Sequence, residues 1–178
     1  MLDILIKSFW TLLPAAFSNM APVLFKWIPM FNYPVDFNYK FNNQPIFGKH
    51  KTYRGFLFGI LTAIFIVYLQ KKFYTQTQSL TVIDYSQINI FLLGFLMGFG
   101  ALLGDLIESF FKRQVGISSG KPWFPYDQID WVLGSLFLTS YYIYHSKEVV
   151  LVSILLFGFL HPLVNLLGYY LGIKSNKF

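Results

Sequence analysis

Cysteine is absent from the 178 residues of the sequence, and charged residues are scarce. Without cysteine, a disulfide framework and a thiolate metal site are both excluded. Charged residues make up 12% of the chain, whereas hydrophobic residues make up 55% and phenylalanine alone occupies 21 positions. Soluble domains carry about twice that share of charge. The composition therefore favours an integral membrane protein whose fold is held together by packing.

The length is that of one domain, and residues 1–178 contain no internal repeat, low-complexity tract or interdomain linker. Transporters built from inverted halves show such internal symmetry. We therefore expect a single membrane domain, and not two related halves.

Uncharged apolar segments of roughly the length needed to cross a bilayer recur along the chain. Five of them are predicted to be transmembrane helices: residues 4–25, 55–70, 85–111, 129–146 and 149–173. The second and fourth are short. The predicted fold class is an all-α membrane bundle of about five helices with two long polar loops, residues 26–54 and 112–128.

The basic residues predict the orientation of this bundle, because cytoplasmic loops are enriched in lysine and arginine. Four basic residues fall on one side of the five-helix arrangement: Lys7, Lys71, Lys72 and Lys147. The other ten fall on the opposite side: Lys26, Lys40, Lys49, Lys51, Arg54, Lys112, Arg113, Lys121, Lys174 and Lys177. We therefore expect the two long loops and the C-terminus in the cytoplasm and the N-terminus outside.

Glycines are spaced for close helix packing in the third segment, where Gly94 and Gly98, and then Gly100 and Gly104, lie four residues apart. Small residues at this spacing let helix backbones approach closely in membranes. The pattern predicts that the third helix lies at the centre of the bundle.

Four of the eight acidic residues form two pairs at i, i+3 spacing: Asp105 with Glu108, and Asp127 with Asp130. This spacing puts each pair on one helix face. The first pair follows an apolar segment and the second begins the next one, so both lie near the predicted cytoplasmic boundary of the membrane. Carboxylates there are energetically costly unless they meet cations. Mg²⁺ is the natural partner, since it binds one or two carboxylates together with phosphate oxygens.

Basic and hydroxyl residues accompany the acids. Ser109 and Lys112 share the helix face of Asp105, and Arg113 lies beside Glu108. A second cluster, with Lys51, Thr52 and Arg54, opens the second helix, where the backbone N–H groups favour anions. These groups predict a binding site for a polyphosphate and its metal ion.

Simpler interpretations compete at several positions. Lys112 and Arg113 could be a positive-inside anchor, and Asp105 could merely pair with Arg113. Asp36 is evenly balanced between a metal or nucleotide contact and a turn residue after Pro34. His161 is interpreted as an interfacial or packed residue.

An ordered set of motifs in this chain resembles the archaeal-type CDP-archaeol synthases, small relatives of the CDP-diacylglycerol synthases. The set comprises Pro14-Ala15 with Asn19 and Pro22; Pro34-Val35-Asp36; Lys51-Thr52-Tyr53-Arg54-Gly55; Gly104-Asp105, Ser109-Phe110 and Lys112-Arg113; and Asp127-Gln128-Ile129-Asp130. The resemblance implies a five-helix membrane enzyme that uses CTP, Mg²⁺ and a lipid phosphate, with the active site in the two cytoplasmic loops.

On this interpretation a cytidylyl group passes from CTP to a lipid phosphate such as a geranylgeranyl ether of glycerol phosphate, and pyrophosphate leaves. Asp105, Asp127 and Asp130, with Glu108 as a further candidate, are assigned to Mg²⁺. The triphosphate would be neutralised by Lys51, Arg54, Lys112 and Arg113. Thr52 and Ser109 are assigned as hydrogen-bond donors. Two alternatives stand beside it: transfer to a diacyl phosphatidic acid, and a cation channel or transporter that uses the acids as a selectivity site.

Overall fold

Helices account for most of the computed structural model, which describes residues 2–172. In chain order they are α1 (Leu2–Leu24), α2 (Tyr53–Lys72), the one-turn α3 (Tyr74–Thr77), α4 (Ile90–Gln114), α5 (Tyr126–Thr139) and α6 (Lys147–Tyr170). A short 3₁₀ turn, Gln78–Leu80, follows α3. Two-residue strands β1 (Lys40–Phe41) and β2 (Gln44–Pro45) pair antiparallel in the first long loop. The predicted all-α bundle is confirmed.

Side-chain caps fix where three of the long helices begin. The hydroxyl of Thr52 accepts a hydrogen bond from the amide of Gly55 at 3.2 Å and starts α2. Asn89 accepts from the amides of Phe91 and Leu92 at the start of α4, and Ser146 caps α6. Such caps satisfy backbone donors that have no partner inside the helix.

The predicted helix limits differ from the observed ones by a few residues at most ends, and by the largest amounts at two. The third segment was expected from residue 85, but α4 begins at Ile90 because Asn89 caps it, and Tyr85 is instead a buried residue whose hydroxyl donates to Gln70 at 2.8 Å. The fourth was expected to run to residue 146, but α5 ends at Thr139, whose hydroxyl lies 2.8 Å from the ring of His145. The predicted end of the last helix, residue 173, lies outside the described residues.

Among the described helices, α2, α4 and α6 are long and apolar enough to cross a membrane. Of the other two long helices, α5 has only 14 residues, while α1 has 23 but carries buried polar residues such as Ser8, Thr11 and Ser18. The bundle therefore has the five long helices that were expected, and three of them have the length and hydropathy of membrane spans.

Helix α4 lies at the centre and packs against α1, α2 and α5. The core around it is formed by residues that are almost fully buried, among them Leu12, Ala15, Val67, Leu93, Met97, Ala101, Trp131 and Val132. A side chain at Gly104 would collide with the backbone carbonyl of Asp130, and one at Gly98 would come within 2.8 Å of Ala63. The glycine spacing thus permits the close helix crossings that the sequence predicted.

Two charged residues organise the first long loop. The carboxylate of Asp36 accepts hydrogen bonds from the amides of Asn38, Phe47 and Gly48 at 2.9 to 3.0 Å. The guanidinium of Arg54 donates to the carbonyls of Lys26 and Ile28, so that it ties the start of α2 to the chain leaving α1. The loop is therefore held in one conformation against the end of the bundle.

Candidate active site

A cavity of about 730 Å³ opens at the end of the bundle where α4 finishes and where α2 and α5 begin. We call this the site end. Polar and charged side chains from these three helices and their loops line it, including His50, Lys51, Thr52, Asp105, Glu108, Ser109, Lys112, Arg113, Asp127 and Gln128. Apolar residues such as Phe56, Leu102 and Phe124 complete the wall. Residues as far apart in the sequence as His50 and Gln128 thus line one cavity.

Three carboxylates converge at the base of the site. Asp105, Glu108 and Asp130 each place an oxygen within 4.8 Å of the others. The first two project from α4 and the third from α5, at the crossing where Gly104 contacts the backbone of Asp130. Oxygen ligands at this mutual distance fit a hard divalent cation, which would also relieve the repulsion among the three acids.

Asp127 lies outside this group of three, although its carboxylate is close enough to that of Glu108 for the two to interact. One of its oxygens forms an ion pair with the ammonium of Lys112, and the other accepts from the backbone amide of Trp123 at 2.5 Å. Lys112 also lies 3.6 Å from Glu108. The sequence grouped Asp127 with the metal ligands, and in the structure its carboxylate pairs with Lys112.

Lys51 bridges the two clusters that the sequence identified. Its ammonium lies 2.6 Å from a carboxylate oxygen of Asp105. Burial disfavours the charged form of Lys51, but the charge of Asp105 and their hydrogen bond outweigh this, so that the pKa of Lys51 is raised. Next to it, burial and the positive charges of Lys49, Lys51 and Arg113 lower the pKa of His50 and favour its neutral ring.

Arg113 lines the cavity as a buried cation. Its side chain is only 6% exposed, and its Nε and Nη1 have no hydrogen-bond partner among the described residues. Buried guanidinium donors without partners are costly, and a phosphate satisfies several of them at once. The geometry of Arg113 therefore suits the recognition of an anionic ligand.

Two predicted site residues are not brought to the cavity. Arg54 and Asp36 do not line it, since their polar groups are engaged within the first loop. For Asp36, burial raises the pKa, but the amides of Phe47, Gly48 and Asn38 outweigh it and lower the pKa overall. The structure thus favours the turn-residue alternative for Asp36 and shows Arg54 as an anchor of the same loop.

Thr52 and Ser109 do line the cavity, although the hydroxyl of Thr52 also caps α2.

Residues of α1 and α6, which were not assigned to the site from the sequence, line it as well. His161 and Asn165 reach it from α6, and Asn19 reaches it from α1. His161 was interpreted as packed or interfacial. Polar side chains inside an otherwise apolar segment were the available signal, because such residues face a cavity more often than lipid.

A membrane-embedded helix bundle with a cavity of carboxylates and cations at one end defines an intramembrane enzyme that handles phosphate groups. A family model described as CarS-like CDP-archaeol synthase matches residues 1–178. The chain is 35% identical to a CDP-archaeol synthase of Pyrobaculum islandicum over 80% of each chain. It is 33% identical to one of Methanocaldococcus jannaschii, covering 97% of this chain and 96% of that one.

A solved structure described as an intramembrane enzyme for archaeal membrane lipids biosynthesis is also similar. It superposes with a TM-score of 0.72 at 25% identity and covers 88% of this chain and 91% of its own. The chain belongs to the CarS-like CDP-archaeol synthase family.

Membership confirms three predictions from the sequence: the family, the membrane location, and an enzyme that transfers a cytidylyl group from CTP to an archaeal lipid phosphate. It supports neither the channel nor the diacyl acceptor that stood as alternatives.

Proposed function

We propose that the cavity seats the triphosphate of CTP against Lys51, Lys112 and Arg113, with Mg²⁺ held by Asp105, Glu108 and Asp130. The observation that carries this proposal is the convergence of the three carboxylates within 4.8 Å beside the three cations, in one cavity of about 730 Å³. Mg²⁺ bound there would neutralise charge on the triphosphate oxygens.

The residues of the chain then position the reactants. A lipid phosphate monoester has a second pKa near 6, so it is largely dianionic at neutral pH and needs no strong base. One of its oxygens forms a bond to the α-phosphorus of CTP while the bond to the β-phosphate oxygen breaks, and pyrophosphate leaves. Lys51, Lys112 and Arg113 stabilise the negative charge that accumulates on this leaving group.

Asp127 would act through Lys112. Because the carboxylate pairs with the ammonium and also accepts from the amide of Trp123, it fixes where Lys112 points. We therefore assign Asp127 a positioning role in place of the metal-binding role that spacing suggested. Ser109, whose hydroxyl lies 3.4 Å from Glu108, and Thr52 remain candidates for hydrogen bonds to phosphate.

The proposal includes the orientation predicted from the basic residues. The loops at residues 26–54 and 112–128 both reach the site end, where His50, Lys51, Lys112 and Lys121 line the cavity. Facing the cytoplasm, this end would meet CTP directly. Lys174 and Lys177, which contributed to the prediction of a cytoplasmic C-terminus, lie outside the described residues.

The metal assignment is tested by Asp130→Asn in the purified protein, with labelled CTP and a geranylgeranyl ether of glycerol phosphate. Turnover should fall at least about a hundredfold, because one well-placed electrostatic group is lost from the reacting centre. Transfer by the wild type should be abolished by a chelator and restored by Mg²⁺. The readout is the labelled CDP-lipid formed per unit time.

Asp84→Asn provides the matched control. Asp84 is exposed between α3 and α4, and among the described residues its carboxylate interacts with Ser86 and Tyr74. Its substitution should leave turnover within about twofold of the wild type, the scale of an ordinary surface change. A folded Asp130→Asn protein with wild-type turnover at limiting Mg²⁺ would remove Asp130 from the site.

A further inference from the structure

We infer that the acceptor lipid reaches the cavity sideways, through a seam between α1 and α6, and that Asn19, His161 and Asn165 form the subsite for its headgroup. This inference rests on the proposed function. It adds a route for the second substrate and names the residues that recognise it.

The first observation is that α6 becomes less buried towards the site end. Its buried residues are Val149, Ser153 and Phe157, all in its first half. Within the described part of α6, no residue after Phe157 is buried. Pro162 follows, and proline cannot donate the hydrogen bond that an α-helix would direct to the carbonyl of Gly158. The half of α6 beside the cavity is therefore the less tightly packed half.

The second observation is a smaller cavity of about 80 Å³ along this seam. Four of its lining residues, Asn19, Val23, His161 and Asn165, also line the main cavity. Its remaining lining comes from Met20 and Leu24 on α1 and from Val164 and Gly168 on α6. Met20, Leu24 and Val164 are 37 to 40% exposed on the surface of the bundle. The two cavities thus adjoin at these shared residues, and apolar residues border the smaller one on the side of the bundle.

The distribution of polarity fits one occupant, a phosphate monoester that carries two long hydrocarbon chains. Its headgroup must reach the CTP site, while its chains stay in the bilayer, since withdrawing a chain from the bilayer is unfavourable in proportion to its number of CH₂ groups. The seam offers polar side chains at the junction of the cavities and apolar ones at its outer edge. Amide and imidazole groups can donate hydrogen bonds to phosphate or ether oxygens.

Because the chain has no native cysteine, the route can be tested by cross-linking α1 to α6 across the seam, which we call stapling. Met20→Cys and Val164→Cys place one thiol on each side of the second cavity. After folding and purification, a short bifunctional thiol reagent with a reducible link joins the two. Transfer is then measured with two acceptors that share a headgroup, a geranylgeranyl diether and a water-soluble diether with four-carbon chains.

We expect stapling to reduce transfer to the long-chain acceptor at least about tenfold and to restore it on reduction. Transfer to the short-chain acceptor should change less than about twofold, because this molecule can enter through the aqueous mouth. A matched staple joins the opposite halves of the same helices through Phe9→Cys and Ile154→Cys, near the stacked pair Phe9 and Phe157. It should affect neither acceptor.

The results separate the inference from the function on which it rests. If the wild type transfers to neither acceptor, the proposed function fails. If the wild type is active and the seam staple spares the long-chain acceptor, or inhibits both acceptors equally, the lateral route is wrong while the function stands.

A second measurement tests the headgroup subsite. Asn165→Leu keeps the volume of the side chain nearly constant and removes its hydrogen-bonding groups. The KM for the short-chain acceptor should rise at least about fivefold, with the KM for CTP unchanged. An unchanged acceptor KM, or an equal rise in both constants, would remove Asn165 from the subsite.

Discussion

Arg113 and Arg54 are the two arginines of the sequence, and the structure uses them differently. Arg54 has two backbone carbonyls as partners and holds the first loop. Arg113 lines the cavity, with two of its nitrogens unpaired among the described residues. The same residue type therefore serves as a structural anchor at one position and as a candidate ligand-binding group at the other.

This contrast leads to a prediction for Arg113→Gln. The kcat/KM for CTP should fall about ten- to a hundredfold, because hydrogen bonds between charged groups contribute roughly 1.5–3 kcal/mol. The melting temperature should equal that of the wild type, because Nε and Nη1 of Arg113 form no hydrogen bond among the described residues. Steady-state kinetics with varied CTP, together with thermal unfolding in detergent, provide the two readouts.

Arg54→Gln is the comparison variant. It should lower the melting temperature, because the carbonyls of Lys26 and Ile28 lose their donor. If Arg113→Gln keeps wild-type kinetics across all CTP concentrations, the anchor interpretation of Arg113 holds instead.

At the scale of the helix, the crossing of α4 and α5 sets the positions of the carboxylates. Gly104 is in contact with the backbone of Asp130, and Gly100 is in contact with that of Gly134. Asp105 follows Gly104 directly, so the separation of the two backbones fixes how far Asp105 lies from Asp130. Packing and metal geometry are therefore properties of the same crossing.

Gly104→Ala tests this coupling. A methyl group there would collide with the carbonyl of Asp130. Although alanine favours helix by about 1 kcal/mol over glycine, overpacking typically costs 1–3 kcal/mol and shifts the backbone. We expect a lower melting temperature and a turnover reduced at least about tenfold.

Gly158→Ala in α6 is the matched substitution. Among the described residues its methyl group would meet Ile129, at an ordinary contact distance of 3.5 Å. It should leave the melting temperature and turnover unchanged or slightly improved. Equal behaviour of the two variants would contradict the link between the crossing and the site.

The sequence predicted the helices well because long apolar segments and glycine spacing are local signals. It failed at residues 85–89 and 140–146, which carry no charge that would mark a helix limit. There the cap of Asn89 begins α4, and α5 ends at Thr139, which contacts His145. It grouped Asp127 with Asp130 by spacing; among the described residues Asp130 lies within 4.8 Å of Asp105 and Glu108, while Asp127 pairs with Lys112. Which carboxylates of α5 approach those of α4 depends on how the two helices are rotated against each other. The spacing of residues within one helix does not determine that rotation.

The contribution of α6 to the site was missed for the same reason. His161 and Asn165 are visible as polar residues in an apolar segment, but the sequence does not say which neighbour they face. The family resemblance covered the residues that carry the charges, and the position of α6 around the bundle came only from the structure.

For the whole molecule, the loops at residues 26–54 and 112–128 end at the same side of the bundle. We predict that this side is cytoplasmic. Single cysteines introduced at Gln44 and Ser119, both exposed, should be protected in sealed cells from an impermeant thiol reagent applied outside. The measurement is labelling before and after permeabilisation.

A cysteine at Ser79, exposed in the connection between α2 and α4 at the other end, should be labelled in sealed cells. The cysteine-free sequence ensures that no native thiol interferes. Labelling at Gln44 and Ser119 with protection at Ser79 would reverse the predicted orientation.

The ion pair of Lys51 with Asp105 has a consequence for how the two ligands assist each other. A metal ion on Asp105 would compete with the ammonium and leave Lys51 available to the triphosphate. A triphosphate that draws Lys51 away would leave Asp105 available to the metal. Each ligand should therefore tighten the binding of the other by the same factor, since a coupling free energy is reciprocal. The dissociation constant of CTP would then depend on the Mg²⁺ concentration beyond the formation of the nucleotide complex in solution.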